Sequence, residues 1–326
     1  MQVGGQAVLE GVMMRAPGML ATAVRRSSGE ITVSKQPYRS LAERFKVFKL
    51  PVLRGAIGLV EMMVIGIRTL NFSAEVAMED SERLHGPNGN GQVEQKAKPL
   101  KGNFLLALTV TVSLLIGVAI FFVTPLVVTT TLFGVEQQPV WFNLIAGGIR
   151  IALLLAYLSA ISMIKDIKRL FEYHGAEHKA VFAFELGEEL EISAAARQSR
   201  FHPRCGTSFL LIVMFVAIIL FSILDAILIR WLGEIDVVTR LVTHLPLIPV
   251  VGGVSYEFIK ASAKRSNTAI GRFVVAPGLW LQKITTREPD EKQLEVALVA
   301  LRCALGEDYT MGLQTEVHVA EEISLN

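Results

Sequence analysis

Four long apolar stretches constrain this chain more than any other feature of its sequence. They lie at 103–132, 140–164, 208–229 and 241–258. A helix of about 20 apolar residues is long enough to cross a bilayer, and 52% of the chain is hydrophobic. The fourth stretch is short and holds Pro246 and Pro249, which predicts a kinked helix. The sequence therefore predicts a polytopic membrane protein with four transmembrane helices.

The placement of Lys and Arg predicts the orientation of these spans. Residues 1–102 hold 14 of the 32 basic residues, residues 165–207 hold 7 and residues 257–326 hold 8. The two short connections between spans hold only Arg230 and Arg240, at the edges of the second connection. Because basic loops stay in the cytoplasm, we expect both termini and the central loop on that side. The basic residues form no separate face with interleaved aromatic residues, which argues against nucleic-acid binding.

The fold class predicted is an all-α integral membrane protein with four transmembrane helices, interfacial amphipathic helices and a small N-terminal β element. Its segments are an N-terminal cytoplasmic β element over 1–46, an interfacial amphipathic helix over 47–72, a cytoplasmic linker over 73–102, the first two spans over 103–164, a cytoplasmic His/Glu/Cys loop over 165–207, the last two spans over 208–258 and a C-terminal cytoplasmic segment with interfacial and amphipathic helices over 259–326. The interfacial helix is predicted because three of its four charged residues, Arg54, Glu61 and Arg68, are seven apart and share one face.

The central loop carries the residues that predict chemistry. His174 and His178 are four apart, so on a helix they share a face and chelate one ion. The second span is expected to continue into this helix. Glu177 completes an H-x-x-E-H string, in which Glu acts as general base in one class of metalloprotease. His202 and Cys205 follow in a Pro/Gly turn just before the third span, and imidazole with thiolate favours zinc.

Three arrangements of this cluster remain open from the sequence. With all four side chains as ligands, the zinc site is closed and structural. With three ligands and a water, Glu177 is the catalytic base of a hydrolase. Without metal, Cys205 is a nucleophile with a histidine as its base. A non-metal interpretation, with interfacial histidines and a buried thiol, also remains.

Other polar residues have two interpretations each. Glu185 lies on the histidine face of the helix. Glu257 either approaches the cluster or lies at the membrane interface, and Glu10 either approaches the cluster or lies in a turn. The sequence leaves the roles of all three open. Arg150 and Asp225 lie inside predicted spans, and we expect them to form a mutual ion pair.

Four motifs in order resemble the YqhQ-like family of bacterial membrane proteins. The motifs begin with Gly4-Gly5-Gln6-Ala7-Val8-Leu9-Glu10-Gly11-Val12-Met13-Met14-Arg15 and His174-Gly175-Ala176-Glu177-His178-Lys179. They continue with His202-Pro203-Arg204-Cys205-Gly206-Thr207-Ser208-Phe209 and Pro277-Gly278-Leu279 through Thr285-Thr286-Arg287-Glu288-Pro289. The resemblance implies a multi-pass protein of the bacterial cytoplasmic membrane and a predicted metal-dependent enzyme, with the substrate left open.

Three functions are compatible with this sequence. The first is a zinc-dependent hydrolase at the cytoplasmic membrane face, with Glu177 as general base. The second is a non-enzymatic membrane scaffold or assembly factor with a structural zinc site. The third is a transporter of a lipid or small solute. Apart from the lipid bilayer, the partner expected is a second copy of the chain, because four spans make a thin bundle.

Overall fold

The computed structural model describes residues 3–41, 45–85, 99–263, 268–307 and 317–319. The chain divides into two compact units. The first unit comprises residues 1–84, 158–211 and 252–326, and the second comprises residues 85–157 and 212–251.

A five-stranded sheet organises the first unit. Its strands are β1 Gly4–Val8, β2 Gly11–Ala16, β3 Gly18–Arg25, β4 Ile31–Tyr38 and β5 Val317–Val319, in that spatial order. The first four strands form an antiparallel meander, and β5 runs parallel to β4. The predicted N-terminal β element is thus present.

The helices of the described residues are eleven in number. They are α1 Leu53–His85, α2 Pro99–Val118, α3 Thr124–Phe133, α4 Pro139–Ile161, α5 Lys165–Glu185, α6 Ile192–Ala196, α7 Gly206–Leu232, α8 Val237–His244, α9 Ile248–Ala263, α10 Ala269–Thr285 and α11 Glu291–Leu305. A short π-helical turn, Ala119–Val123, joins α2 to α3. The 3-10 turns Lys46–Lys49 and Leu245–Leu247 precede α1 and α9.

Helices cover both faces of the sheet because apolar side chains of its strands point to both faces. Val12, Ala23 and Val33 point to one face, where they join a core with residues of α5 and α11. Val8 and Val24 point to the other face and pack on Phe72 and Val76 of α1. α11 begins with a full capping box between Asp290 and Gln293, which fixes the start of this buried helix.

Four helical segments of the described residues are long and apolar enough to cross a membrane. They are Ala107–Phe133, Pro139–Ile161, Gly206–Leu232 and Val237–Ser262. In the fourth segment the 3-10 turn at Pro246 interrupts the α-helix, in agreement with the predicted kink. The predicted class, a mostly helical membrane protein with a small β element, is confirmed.

The predicted linker over 73–102 is wrong in its first part, because α1 runs to His85. Tertiary contacts stabilise the extension. Val76 packs on the sheet, and the carboxylate of Asp80 accepts hydrogen bonds from the Ser27 amide (2.6 Å) and the Arg26 guanidinium (3.0 Å). Residues 86–98 of that segment lie outside the described residues.

The second span does not continue into the histidine helix. α4 ends at Ile161, Ile164 has extended backbone (ψ 133°), and α5 begins at Lys165. The Arg287 guanidinium donates to the Ser162 carbonyl in this turn at 3.2 Å. The break gives α5 a direction of its own, so that its apolar face packs on the sheet and α11.

Candidate metal centre

α5 brings the two histidines of the H-x-x-E-H string to one side of the helix. The ring centroids of His174 and His178 lie 4.5 Å apart. Gly175 lies between them in sequence, and a Cβ at this position would collide with the Arg287 carbonyl oxygen. Glycine therefore lets α5 approach the segment after α10 closely, and the last residue of α10 supplies a hydrogen-bond partner of the site.

Cys205 completes a group of three candidate ligands. It lies one residue before α7, and its Sγ is 3.2 Å from His174 Nε2. One ligand atom from each of His174, His178 and Cys205 lies within 4.8 Å of the others. Cys205 and His178 are buried, and His174 is half-buried. The spacing suits side chains that share one ion.

Hydrogen bonds to backbone carbonyls determine which ring nitrogens are free. Nδ1 of His174 donates to the Thr285 carbonyl (2.8 Å), and Nδ1 of His178 donates to the Arg200 carbonyl (2.5 Å). A carbonyl only accepts, so each neutral ring has its lone pair on Nε2. Metal-ligating histidines are typically oriented in this way.

Nε2 of His178, which carries the lone pair, lies inside the ligand group. Its Nε2 is buried and makes no hydrogen bond with any described residue. A buried polar atom without a partner costs free energy, and a bound cation would supply one. The residues of this group therefore fit a zinc ion, which binds imidazole and thiolate together.

Glu177 lies at the border of the ligand group. Its Oε2 is 3.5 Å from His178 Nε2, and its side chain is buried. On the other side, a Cβ on Gly5 of β1 would lie 2.7 Å from Glu177 Cγ. The predicted general base is thus held between β1 and the candidate ligands.

His202, which the sequence predicts as a fourth ligand, lies outside the group of three. Its Nδ1 accepts from the Arg204 amide at 3.2 Å, and its Nε2 faces Glu185 Oε2 at 3.4 Å. The turn around Pro203 directs the ring this way, and Gln282 fixes the His202 backbone with two hydrogen bonds of 2.8 Å. Burial, and secondarily the nearby His178, lower the pKa of His202 to about 4.

The last residue of α10 and the segment after it contribute contacts that the sequence analysis missed. The Thr285 carbonyl holds His174, and Glu288 forms an ion pair with the buried Lys179 at 2.5 Å. Lys179 also donates to the Ala196 carbonyl at 2.8 Å. The Thr285–Pro289 motif was visible in the sequence, but its contact with α5 depends on tertiary structure. This segment orients the helix that carries the site.

Three glutamates with open roles are engaged elsewhere. Glu10 forms an ion pair with Arg169 and accepts from the Tyr173 hydroxyl at 3.2 Å. Glu257 pairs with Arg54 in two hydrogen bonds. Glu185 lies next to His202 and pairs with Arg204. None of these carboxylates belongs to the group of three candidate ligands.

The expected pair between Arg150 and Asp225 is wrong. In the second unit, Asp225 accepts from Arg240 Nε (2.9 Å), His244 Nε2 (2.9 Å) and the Asn143 amide (2.8 Å). Arg150 instead donates to a carbonyl of the π turn, that of Phe121, at 2.8 Å. The sequence could not reveal this pairing because Arg240 and His244 lie on a separate short helix, α8.

Comparisons with known proteins give the family. A family model described as "Protein of unknown function (DUF1385)" matches residues 50–307. The chain belongs to this family. It is 33% identical over 301 residues to the uncharacterized protein YqhQ of Bacillus subtilis (strain 168), covering 90% of this chain and 89% of that protein. No solved structure matches the chain. The resemblance seen in the motifs is confirmed.

Proposed function

We propose that this protein is a membrane-embedded zinc-dependent hydrolase in which His174, His178 and Cys205 bind the metal and Glu177 is the general base. The observation that supports it most directly is the buried Nε2 of His178, which has no hydrogen-bond partner among the described residues. It lies in one group with His174 Nε2 and Cys205 Sγ. Two nitrogens and one sulfur form a ligand set that zinc prefers.

Three protein ligands favour a catalytic site over a structural one. Structural zinc sites have four protein ligands, whereas catalytic sites keep one position for water or substrate. Zinc in this position would polarise a carbonyl or phosphoryl oxygen and lower the pKa of a bound water. In this proposal His202 is not a ligand, and the fourth position is taken by water or substrate.

Glu177 performs the proton transfers in this proposal. Its Oε2 lies 3.5 Å from a candidate ligand atom, within reach of a water in the open position. The carboxylate takes a proton from the attacking water and returns it to the leaving group. The carbonyls of Thr285 and Arg200 hold both imidazoles in the tautomer that leaves Nε2 free.

Metal content and ester hydrolysis test the proposal together. The full-length protein is purified in detergent without chelators, and zinc is measured by mass spectrometry for the wild type, His178→Ala and Glu177→Gln. We expect about one zinc per chain in the wild type and in Glu177→Gln, and its loss in His178→Ala. Hydrolysis of p-nitrophenyl acetate should fall by about 10²-fold or more in Glu177→Gln.

Two results would overturn the proposed hydrolase function. One is a wild-type protein without metal after chelator-free purification. The other is a Glu177→Gln variant that retains zinc and hydrolyses the ester as fast as the wild type. His174→Ala and Cys205→Ala extend the test to the remaining two ligands and should both lose zinc.

A structural zinc site in a membrane scaffold or assembly factor is the second candidate. It is favoured by the burial of Glu177, whose exposed fraction is 6%, because a buried carboxylate 3.5 Å from His178 Nε2 is close enough to act as a fourth ligand after a small movement. In that case Glu177→Gln would lower zinc content, and the zinc-loaded wild type would not hydrolyse the ester.

A further inference from the structure

Among the described residues, the outer edge of the first strand of the sheet is unpaired. β1 pairs with β2 and with no other described strand. No described residue makes a backbone hydrogen bond to its outer side. Natural proteins protect such edges with charged residues or proline, but the strand reads Gly-Gly-Gln-Ala-Val and holds neither. An extended chain could therefore pair with it.

The hydrogen-bond pattern of β1, β2 and β3 determines which backbone groups of β1 point away from β2. The Arg25 amide donates to the Glu10 carbonyl, so Gly11 and Val24 form a non-hydrogen-bonded pair and Gly11 directs its own N–H and C=O toward β1. Val8 is therefore hydrogen-bonded to Gly11, and the pairs alternate from there. Gly5 and Ala7 consequently direct their N–H and C=O groups away from β2.

This edge lies beside the candidate metal centre. Gly5 is in close contact with Glu177, and the turn after β1 is fixed to α5 by the ion pair of Glu10 with Arg169. At 3.6 residues per turn, His174 and His178 lie about 60° and about 100° around the helix from Glu177. Ala7 packs with the apolar core on the other side of Glu177. A strand added to the outer edge of β1 would thus run along the histidine side of α5.

We infer that the substrate of the proposed hydrolase is an extended polypeptide that pairs with the outer edge of β1. The inference rests on the proposed function and specifies its substrate class. Alternating N–H and C=O groups at Gly5 and Ala7 recognise a peptide backbone and offer little to a lipid or a sugar. The water oxygen bonds to the carbonyl carbon of the scissile amide, the C–N bond breaks, and Glu177 transfers the proton from water to the departing amine.

A proline on the strand tests this edge. Ala7→Pro removes an outward N–H and leaves the β1–β2 hydrogen bonds intact. Full-length zinc-loaded protein in detergent is assayed with a pool of quenched fluorescent octapeptides of random sequence. We expect Ala7→Pro to lower kcat/KM by about tenfold through a higher KM. The zinc content of the variant should equal that of the wild type, which checks that the site has folded.

A second probe needs no variant. The same octapeptides with alternate backbone N-methylation cannot donate to the strand, and the wild type should hydrolyse them at least about tenfold less efficiently. Equal rates for both pools, or equal KM for wild type and Ala7→Pro, would overturn the inference. So would hydrolysis of p-nitrophenyl acetate, dependent on Glu177, without hydrolysis of peptides, although the proposed hydrolase would then stand. If the zinc-loaded wild type hydrolysed neither p-nitrophenyl acetate nor peptides, both the peptide-substrate inference and the proposed hydrolase function would be overturned.

Discussion

At the residue scale, neighbouring glycines of β1 provide a matched pair for the contact between the strand and Glu177. A Cβ on Gly5 would lie 2.6 Å from the Met13 carbonyl oxygen and 2.7 Å from Glu177 Cγ, whereas a Cβ on Gly4 would meet nothing within 4 Å. Gly5→Ala should lower the free energy of unfolding by about 1–3 kcal/mol. Thermal unfolding in detergent measures it. Gly4→Ala should be close to wild type, and an equal loss in both variants would contradict the contact.

A second residue-scale prediction separates the two histidines that lie near each other in space. The rings of His178 and His202 are 5.6 Å apart, yet only His178 has an unpartnered Nε2 within the group of three. His202→Ala should therefore keep its zinc, while His178→Ala loses it. Mass spectrometry of the purified proteins decides this. Loss of zinc in both variants would restore the four-ligand site that the sequence predicts.

At the element scale, Asp80 fixes the C-terminal half of α1 to the sheet. Burial alone would raise its pKa, but hydrogen bonds from Ser27 and Arg26 outweigh burial and lower it. A carboxyl with a lowered pKa stabilises the fold above its unfolded pKa of about 4, and this stability is lost as the pH falls through the folded value. We expect the docking of α1 to weaken below about pH 4.

A pair of substitutions isolates this contact at neutral pH. Asp80→Asn removes the buried carboxylate charge that pairs with Arg26. It should lower the free energy of unfolding by about 1–3 kcal/mol. Glu79→Gln removes the other, mostly exposed partner of Arg26 and should change stability by less than about 1 kcal/mol. Amide hydrogen exchange of α1 reports both. Equal exchange in Asp80→Asn and the wild type would exclude a docking role for Asp80.

Elements set by local pattern could be predicted from the sequence, and those set by distant contacts could not. The spans follow from runs of apolar residues, and the shared face of His174 and His178 follows from a spacing of four. The extension of α1 depends on a bond between Asp80 and Ser27, 53 residues apart. The orientation of His202 likewise depends on Gln282, 80 residues away.

At the scale of the whole molecule, the distribution of Lys and Arg predicts that the sheet and the candidate metal centre face the cytoplasm. Two exposed positions, each made cysteine, test this. Ser28 lies in the turn between β3 and β4, and Glu234 lies in the connection between α7 and α8. With a membrane-impermeant maleimide on intact bacterial cells, Glu234→Cys should be labelled at once and Ser28→Cys only after permeabilisation.

The native cysteines determine the background labelling in this experiment. Cys205 and Cys303 are buried, out of reach of the reagent, and burial also raises the pKa of the Cys303 thiol to about 11, which keeps that thiol protonated at neutral pH. The unsubstituted chain should therefore remain unlabelled. If Ser28→Cys were labelled in intact cells and Glu234→Cys were not, the sheet would face the outside. A hydrolase acting there would meet secreted or cell-wall substrates instead of cytoplasmic ones, so the orientation decides where a substrate must be sought.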